Sequence, residues 1–351
     1  MTEDTPREDE FSSSPQERKT IKEIAKEAGV STATVSRVLN NPERVRPERR
    51  KAVLKVIERH DYVLHGMAGA LAGARSMTMG LVIPTITNSI YAASTQAIQR
   101  VAQRESYGVL LGVSEFSPDE ERRMIRHLVE RRVDGLILTG GGRDPAIYRL
   151  IERHGIPCVV TWRLDTAANL PCVSFDNYAA GRMAMKHLIE LGHRRIGLIC
   201  GRTELNDRAL ERRKAYEDAL AEIAIAIDPI LIFERDFEFI EGRTAMRRML
   251  DDVVPPTAVF AANDIQAIGA MAECRASGLD VPKDMSIIGF DDLPLAEFTF
   301  PKLTTIRVPA QRMGHVAATR LLEMIRGQSK PASEVLPVEI ILRESTAPPR
   351  G

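Results

Sequence analysis

Between Ser31 and Arg37 the chain sets four hydroxyl side chains (Ser31, Thr32, Thr34, Ser36), Ala33 and one guanidinium directly after Gly29-Val30. Short hydroxyls at the start of a helix suit phosphate oxygens and base edges, and Arg37 can fork onto O6 and N7 of a guanine in a major groove. Polar groups gather again much later, where Trp162-Arg163, Asp176, Asn263-Asp264 and Asp291-Asp292 each follow directly on an apolar run. Such groups at strand ends can hold a small polar ligand. Bond-breaking chemistry is not indicated. "TGGGRDP" would need glycine at Pro145 to read as GxGxxG from Gly140, and neither GxxxxGK[ST] nor GxSxG occurs. His127, His154, His187 and His193 have no metal-ligand companion, and Cys158, Cys172, Cys200 and Cys274 show no CxxC spacing. The expectation is a non-enzyme without metal or cofactor, its cysteines buried free thiols.

The elements that would position the first group are readable. Thr20-Ile-Lys-Glu23 is a capping box, so a helix starts at Ile21 with Ile24, Ala25 and Ala28 inward. Gly29 turns the chain, and Ser31 caps a second helix whose Val35, Val38 and Leu39 face the first. A third helix begins at Pro47, with Ala52, Val53, Val56 and Ile57 as its inner stripe. Two short helices meeting at a tight glycine turn suit a helix-turn-helix, or an ordinary helical corner with solvated polar residues.

Charge favours the first. The whole chain balances 48 bases against 48 acids, but residues 16–76 hold thirteen bases and seven acids. The acidic, Ser/Pro-rich 1–17 cannot build a core and reads as a disordered tail. No secretory leader or membrane-length apolar run is present, so a soluble, cytoplasmic protein without membrane contact is expected.

From Met79 onward apolar runs alternate with helix-length amphipathic segments. "MGLVIP", "YGVLLGV", "VDGLILTG", "IPCVVTW" and "LPCVSFD" read as strands of one lobe, and "RIGLICG", "PILIFER", "TAVFAAND" and "MSIIGFDD" as those of another. Continuous apolar strands between helices mean parallel sheets covered on both faces, with a ligand cleft at the strand carboxyl ends.

Together these segments resemble the lactose-repressor/galactose-repressor family of bacterial regulators: "TIKEIAKEAGVSTATVSRVLNNPERV" is similar to its DNA-binding head, and "YVLHGMAGALAGARSMTMGLVIP" to its hinge and first core strand. The resemblance implies an all-α helix-turn-helix domain followed by a bilobed α/β, periplasmic-binding-protein-like effector domain with parallel sheets. It places Thr32, Ala33 and Arg37 on base-specifying positions and Ser31, Thr34, Ser36 and Asn40 on phosphate-contacting ones. Leu71 falls on an apolar wedge into the minor groove. Arg212, Asn263 and Asp291 match effector-binding positions, Asn88 and Tyr91 face the cleft from the other lobe, and Phe237 matches a pocket-wall aromatic. Trp162 and Arg163 complete the expected effector set.

Those residue types suit a polyol, since carboxylates and amides pair with hydroxyls, and Arg163 with Arg212 hints at a sugar acid. Other roles stand beside these: Trp162 as core, Asp264 as a helix cap, Asp292 as a turn acid. The sequence departs from the family at Arg46, where serine usually caps the third helix, and at Leu64-His65, where Pro-Asn is usual.

The expected division is tail 1–17, DNA-binding domain 18–64, hinge 65–76, effector-binding and dimerisation domain 77–346, and tail 347–351. Gly66, Gly69 and Gly73 disfavour a hinge helix in isolation, which suits either a flexible linker or a segment that folds on DNA. The ending "STAPPRG" has no leucine heptad, so a homodimer is expected. The expected function is a transcriptional regulator, in the repressing sense, binding pseudo-palindromic double-stranded DNA under control of a sugar or sugar acid. The other reading is a sugar-binding protein of periplasmic type without a regulatory role.

Overall fold

The computed structural model describes residues 19–40, 42–62, 75–164, 170–204, 206–328 and 331–350. The chain separates into two units that divide after Ser76. The smaller unit holds α1 (Ile21–Glu27), α2 (Thr32–Asn40) and α3 (Pro47–Arg59). The capping box forms: the Thr20 amide donates to Glu23 Oε2 at 2.6 Å, and the Glu23 amide returns to Thr20 Oγ1 at 3.4 Å. Gly29 sits at φ +64, a left-handed turn that a Cβ would strain. Ser31 Oγ then accepts from the Thr34 amide at 3.2 Å and starts α2. Ile24, Ala25, Val35, Val38, Val53 and Val56 close the core. Ala52 does not join it and is exposed, because it lies one residue around the helix from the Val53–Val56–Ile57 stripe. Arg46 precedes α3 without a side-chain cap bond, and Glu27 instead ties α1 to Arg59 and His60 at 3.1 and 2.8 Å.

The larger unit begins with β1 (Thr78–Ile83), α4 (Ser89–Arg104), β2 (Gly108–Val113), α5 (Pro118–Glu130), β3 (Gly135–Thr139), α6 (Pro145–Arg153), β4 (Cys158–Thr161) and β5 (Cys172–Ser174). The chain then enters a second lobe with α7 (Asn177–Glu190), β6 (Ile196–Cys200), α8 (Asp207–Glu222), β7 (Ile232–Glu234), α9 (Phe239–Leu250), β8 (Ala258–Ala261), α10 (Asp264–Ala276), β9 (Ser286–Asp291) and β10 (Thr304–Arg307). It returns to the first lobe for α11 (Ala310–Ile325) and β11 (Glu334–Val335), and ends in the second with β12 (Glu339–Ile341).

Sheet order is β11-β5-β4-β3-β1-β2 in one lobe and β12-β10-β9-β8-β6-β7 in the other. All ladders are parallel except β10 with β12. β3, β4, β6, β8 and β9 are buried throughout, which is why they read as unbroken apolar runs. Edge strand β2 leaves Leu110 and Leu111 partly exposed. The late strands β10 to β12 carry no such run and were not anticipated; they are specified by the sheets they complete.

The segments joining these strands to the following helices start on capping side chains. Asn88, Ser117, Asp144, Asp176, Asn206 and Asn263 each accept from a backbone N–H in the first turn of the helix they precede. Much of the polar character seen at strand ends in sequence is therefore capping, and it brings those side chains to one end of both sheets. The four cysteines are free and buried, and burial pushes the thiols of Cys158, Cys200 and Cys274 up to about 12. Among the described residues no helix is long and apolar enough to cross a membrane, and no group of three or more His, Cys, Asp or Glu is placed to hold a metal.

Candidate functional site

In the head, Ser31 before α2 and Thr32, Ala33 and Arg37 on it are exposed, while Thr34 and Ser36 are half-buried. Thr34 Oγ1 turns back to Ser31 Oγ at 3.0 Å, so these two hydroxyls share the cap. Asn40 is the last residue of α2, and its side chain lies outside the described residues, as does Leu71.

In the larger unit, seven side chains expected at the effector site line one small cavity of about 20 Å³: Asn88, Tyr91, Trp162, Arg212, Phe237, Asn263 and Asp291. That volume admits about one water molecule. The wall draws on both lobes, with the Tyr91 and Trp162 rings 5.0 Å apart on one side and the ends of β8 and β9 on the other. Trp162 serves as both wall and core. A run of rings continues inward from it, Trp162 to Phe175 at 6.1 Å and Phe175 to Phe290 at 6.1 Å. Three non-glycine residues here hold positive φ: Trp162 at +68, Asp291 at +115 and Asp292 at +52. Such conformations persist where the surroundings impose them, and they concentrate at ligand sites.

Arg212 anchors the cavity floor. Its Nε and Nη2 donate to Asn177 Oδ1 at 3.1 and 2.9 Å, Nη1 donates to the Ala262 carbonyl at 2.7 Å, and the guanidinium lies 3.6 Å over the Phe290 ring. Burial lowers its pKa and the Asp291 carboxylate opposes that. Asn263 Oδ1 caps α10 while its Nδ2 donates to Asp291 Oδ2 at 2.6 Å. Burial raises the Asp291 carboxyl to about 7, against the pull of Arg212 and Asn263.

Asp264, whose alternative role was a cap, is not the cap. It accepts from the Leu293 amide at 2.7 Å and the Thr305 hydroxyl at 2.6 Å, and burial together with nearby Asp291 holds its carboxyl well above the usual range. Asp292 pairs with Arg307 and Arg343 at 2.6 and 2.7 Å, a structural turn acid.

Arg163 is not part of this wall. Its guanidinium meets Asp207 at 3.1 Å and stands 3.9 Å from Glu211, joining the first lobe to α8. Asp207 is the centre of a cross-lobe cluster missing from the sequence reading: it also accepts from the Gly141 amide at 2.8 Å and from Arg208 at 2.8 Å. Burial opposes its charge, but Arg208, the Gly141 amide and Arg163 hold its pKa low. Arg208 is buried, and a Cβ on Gly140 would fall 2.4 Å from its Nη1. Gly140 of "TGGGRDP" thus admits an arginine from the other lobe. One signal pointed there: Arg208 lies four residues before Arg212, on the same face of α8.

Residues 20–64 match the model of bacterial regulatory proteins, lacI family, and residues 185–346 that of the periplasmic binding protein-like domain. Over 329 residues the chain is 35% identical to the HTH-type transcriptional repressor CytR of Escherichia coli K12, covering 93% of this chain and 96% of that protein. The chain belongs to the lacI family of bacterial regulatory proteins. A lac repressor dimer solved with operator and the anti-inducer ONPF is similar in structure, with a TM-score of 0.81 at 28% identity over 94% of this chain and all of that one. The transcriptional regulator CelR in complex with cellobiose gives a TM-score of 0.69 at 32% identity, over 93% of this chain and all of that one. As a lacI-family member the protein is a transcriptional regulator and not an enzyme, and the reading as a sugar-binding protein of periplasmic type is set aside.

Proposed function

We propose that this lacI-family protein is a cytoplasmic repressor that binds a pseudo-palindromic operator as a homodimer and is switched by a small hydroxyl-rich effector in the interlobe cleft. One observation carries the effector half: side chains from Asn88 to Asp291, far apart in sequence, meet around a single cavity. The exposed face of α2 supports the DNA half, with Thr32, Ala33 and Arg37 reading bases and Ser31, Thr34, Ser36 and Asn40 holding phosphates. The head spans 18–64, the hinge 65–76 with Leu71 as its wedge, and the effector and dimerisation domain 77–346.

The effector is a neutral sugar rather than a sugar acid on this reading, because both arginines that suggested an acid are committed: Arg163 to Asp207, Arg212 to Asn177 and the Ala262 carbonyl. Asp291, which meets Asn263 through Oδ2, keeps its Oδ1 for a hydroxyl. The cavity is too small for a sugar ring, so admitting one requires its walls to separate. The walls belong to both lobes, and binding and lobe movement are then one equilibrium.

The test is operator selection from random duplexes with the purified protein, followed by operator titrations with and without a sugar panel. A specific site whose affinity changes with one sugar, in wild type but not in Asp291→Ala, is the expected result. Absence of any sequence preference in DNA binding would overturn the repressor reading.

A further inference from the structure

Residues 19–62 of the head hold eleven basic and six acidic side chains. Two of the acids already serve the fold, Glu23 in the capping box and Glu27 against Arg59 and His60. At the turn between α1 and α2 lies a groove of about 390 Å³ lined by Ala25, Lys26, Gly29, Ser31, Thr34 and Arg49. No acidic side chain lines it, and Lys26 and Arg49 are exposed, neither of them ion-paired to another described residue. A second groove beside α3 holds Arg50, Lys51 and Lys55 but also Glu43 and Glu58, so its positive field is partly cancelled.

The same chain carries a complementary segment just before this head. Residues 1–15, outside the described residues, hold five acids (Glu3, Asp4, Glu8, Asp9 and Glu10) against Arg7 alone, a net charge of −4. Glu10 stands nine residues before Lys19, a tether of up to about 30 Å. Lys26 stands seven residues beyond Lys19, about 10 Å along α1. The acids therefore reach the turn groove with chain to spare. So short a tether holds them at a roughly millimolar effective concentration, enough for weak exposed ion pairs to be populated.

We propose that Glu8, Asp9 and Glu10 dock in the turn groove against Lys26 and Arg49, so that the tail competes with DNA phosphates for this surface and acts as an intramolecular brake on DNA binding. This rests on the phosphate-holding role given to Ser31 and Thr34 above, since those side chains line the same groove. Tail and DNA exclude one another there, and salt screens the tail's hold, so the brake is strongest at low ionic strength.

The experiment measures the anisotropy of a fluorescent random-sequence duplex titrated with the full chain and with a Glu8→Gln, Asp9→Asn, Glu10→Gln variant, from about 50 to 300 mM salt. Both are repeated with Lys26→Gln and Arg49→Gln added; these two sites are exposed, so the fold is kept. Neutralising the tail should tighten binding about fivefold at the lowest salt and less than about twofold at the highest. With Lys26 and Arg49 replaced, the gain should vanish, because the carboxylates have lost their partners. An equal gain in both backgrounds means that the tail repels DNA at long range without docking, and overturns the proposal, as does no gain or one that salt leaves unchanged. Carbodiimide coupling, which joins a carboxylate to an adjacent lysine amine with loss of water, reads the docking without DNA. Its expected product joins residues 8–10 to Lys26; coupling to Lys51 or Lys55 instead overturns the placement. Binding of no duplex by any of the proteins overturns the DNA-binding reading and the brake with it, while the coupling product still decides whether the tail docks.

Discussion

The head and the cleft of this protein place their proposed recognition residues in opposite physical states. At the start of α2, Ser31, Thr32, Ala33 and Arg37 lie within seven residues of one another and are exposed. In the cleft, Asn88, Arg212, Asn263 and Asp291 are each at most 6% exposed and are largely bonded to groups of the same chain. A polyanionic partner can be met by side chains waiting in water, because its charge supplies most of the affinity. A small neutral ligand must instead be matched by groups held in place, and those groups stabilise the fold until it arrives.

The contrast is testable at its strongest point. Arg212→Ala leaves Asn177, the Ala262 carbonyl and Asp291 facing a buried gap, and should cost the larger unit about 3–5 kcal/mol. Scanning calorimetry should show its transition moving down while that of the head stays put; an unmoved transition would mean that Arg212 is not a structural anchor. The converse change, Arg37→Ala, should leave both transitions unchanged and weaken operator binding by about 1–3 kcal/mol. A matching loss of melting temperature would place Arg37 in the fold rather than on the DNA. Gly29→Ala, forced to φ +64, should destabilise the head alone by roughly 1–2 kcal/mol, seen as loss of its helical signal at lower temperature.

The smallest effect separates the two regions by sign. Hydrogen bonds from the Thr20 amide and hydroxyl hold the Glu23 carboxyl below its ordinary 4.5. That contribution to head stability is present above the ordinary value and is lost as pH falls through the lowered one. Asp291 behaves oppositely. Between its ordinary 3.8 and about 7 the native state keeps a proton that the unfolded chain has lost, so the larger unit loses stability as pH rises through this window and levels off above it. Melting curves from pH 4 to 8 should show this slope, shallower in Asp291→Asn, with the remainder due to Asp264. A slope unaffected by Asp291→Asn would remove Asp291 as its source.

The head was almost fully legible because its determinants are local. A capping box, a left-handed glycine and a second cap lie within the fourteen residues of "TIKEIAKEAGVSTA", and each acts on its immediate neighbours. Ala52 was misjudged because periodicity marks an apolar stripe without fixing its width. The central strands were legible through burial on both faces, whereas β10 to β12 are held by partners that local composition does not reveal.

What the sequence alone determined about this protein is its order of parts and its chemical vocabulary: a basic helical head, two parallel sheets, and polar side chains where strands give way to helices. Tertiary structure alone decided which of those side chains share a cavity. Arg163, adjacent to Trp162 in the chain, turns to Asp207 outside the small pocket, while Arg208 lines that pocket and lies against Gly140 of the other lobe. Side-chain direction across a cleft depends on how two sheets face each other, and no local pattern along the chain encodes that distance.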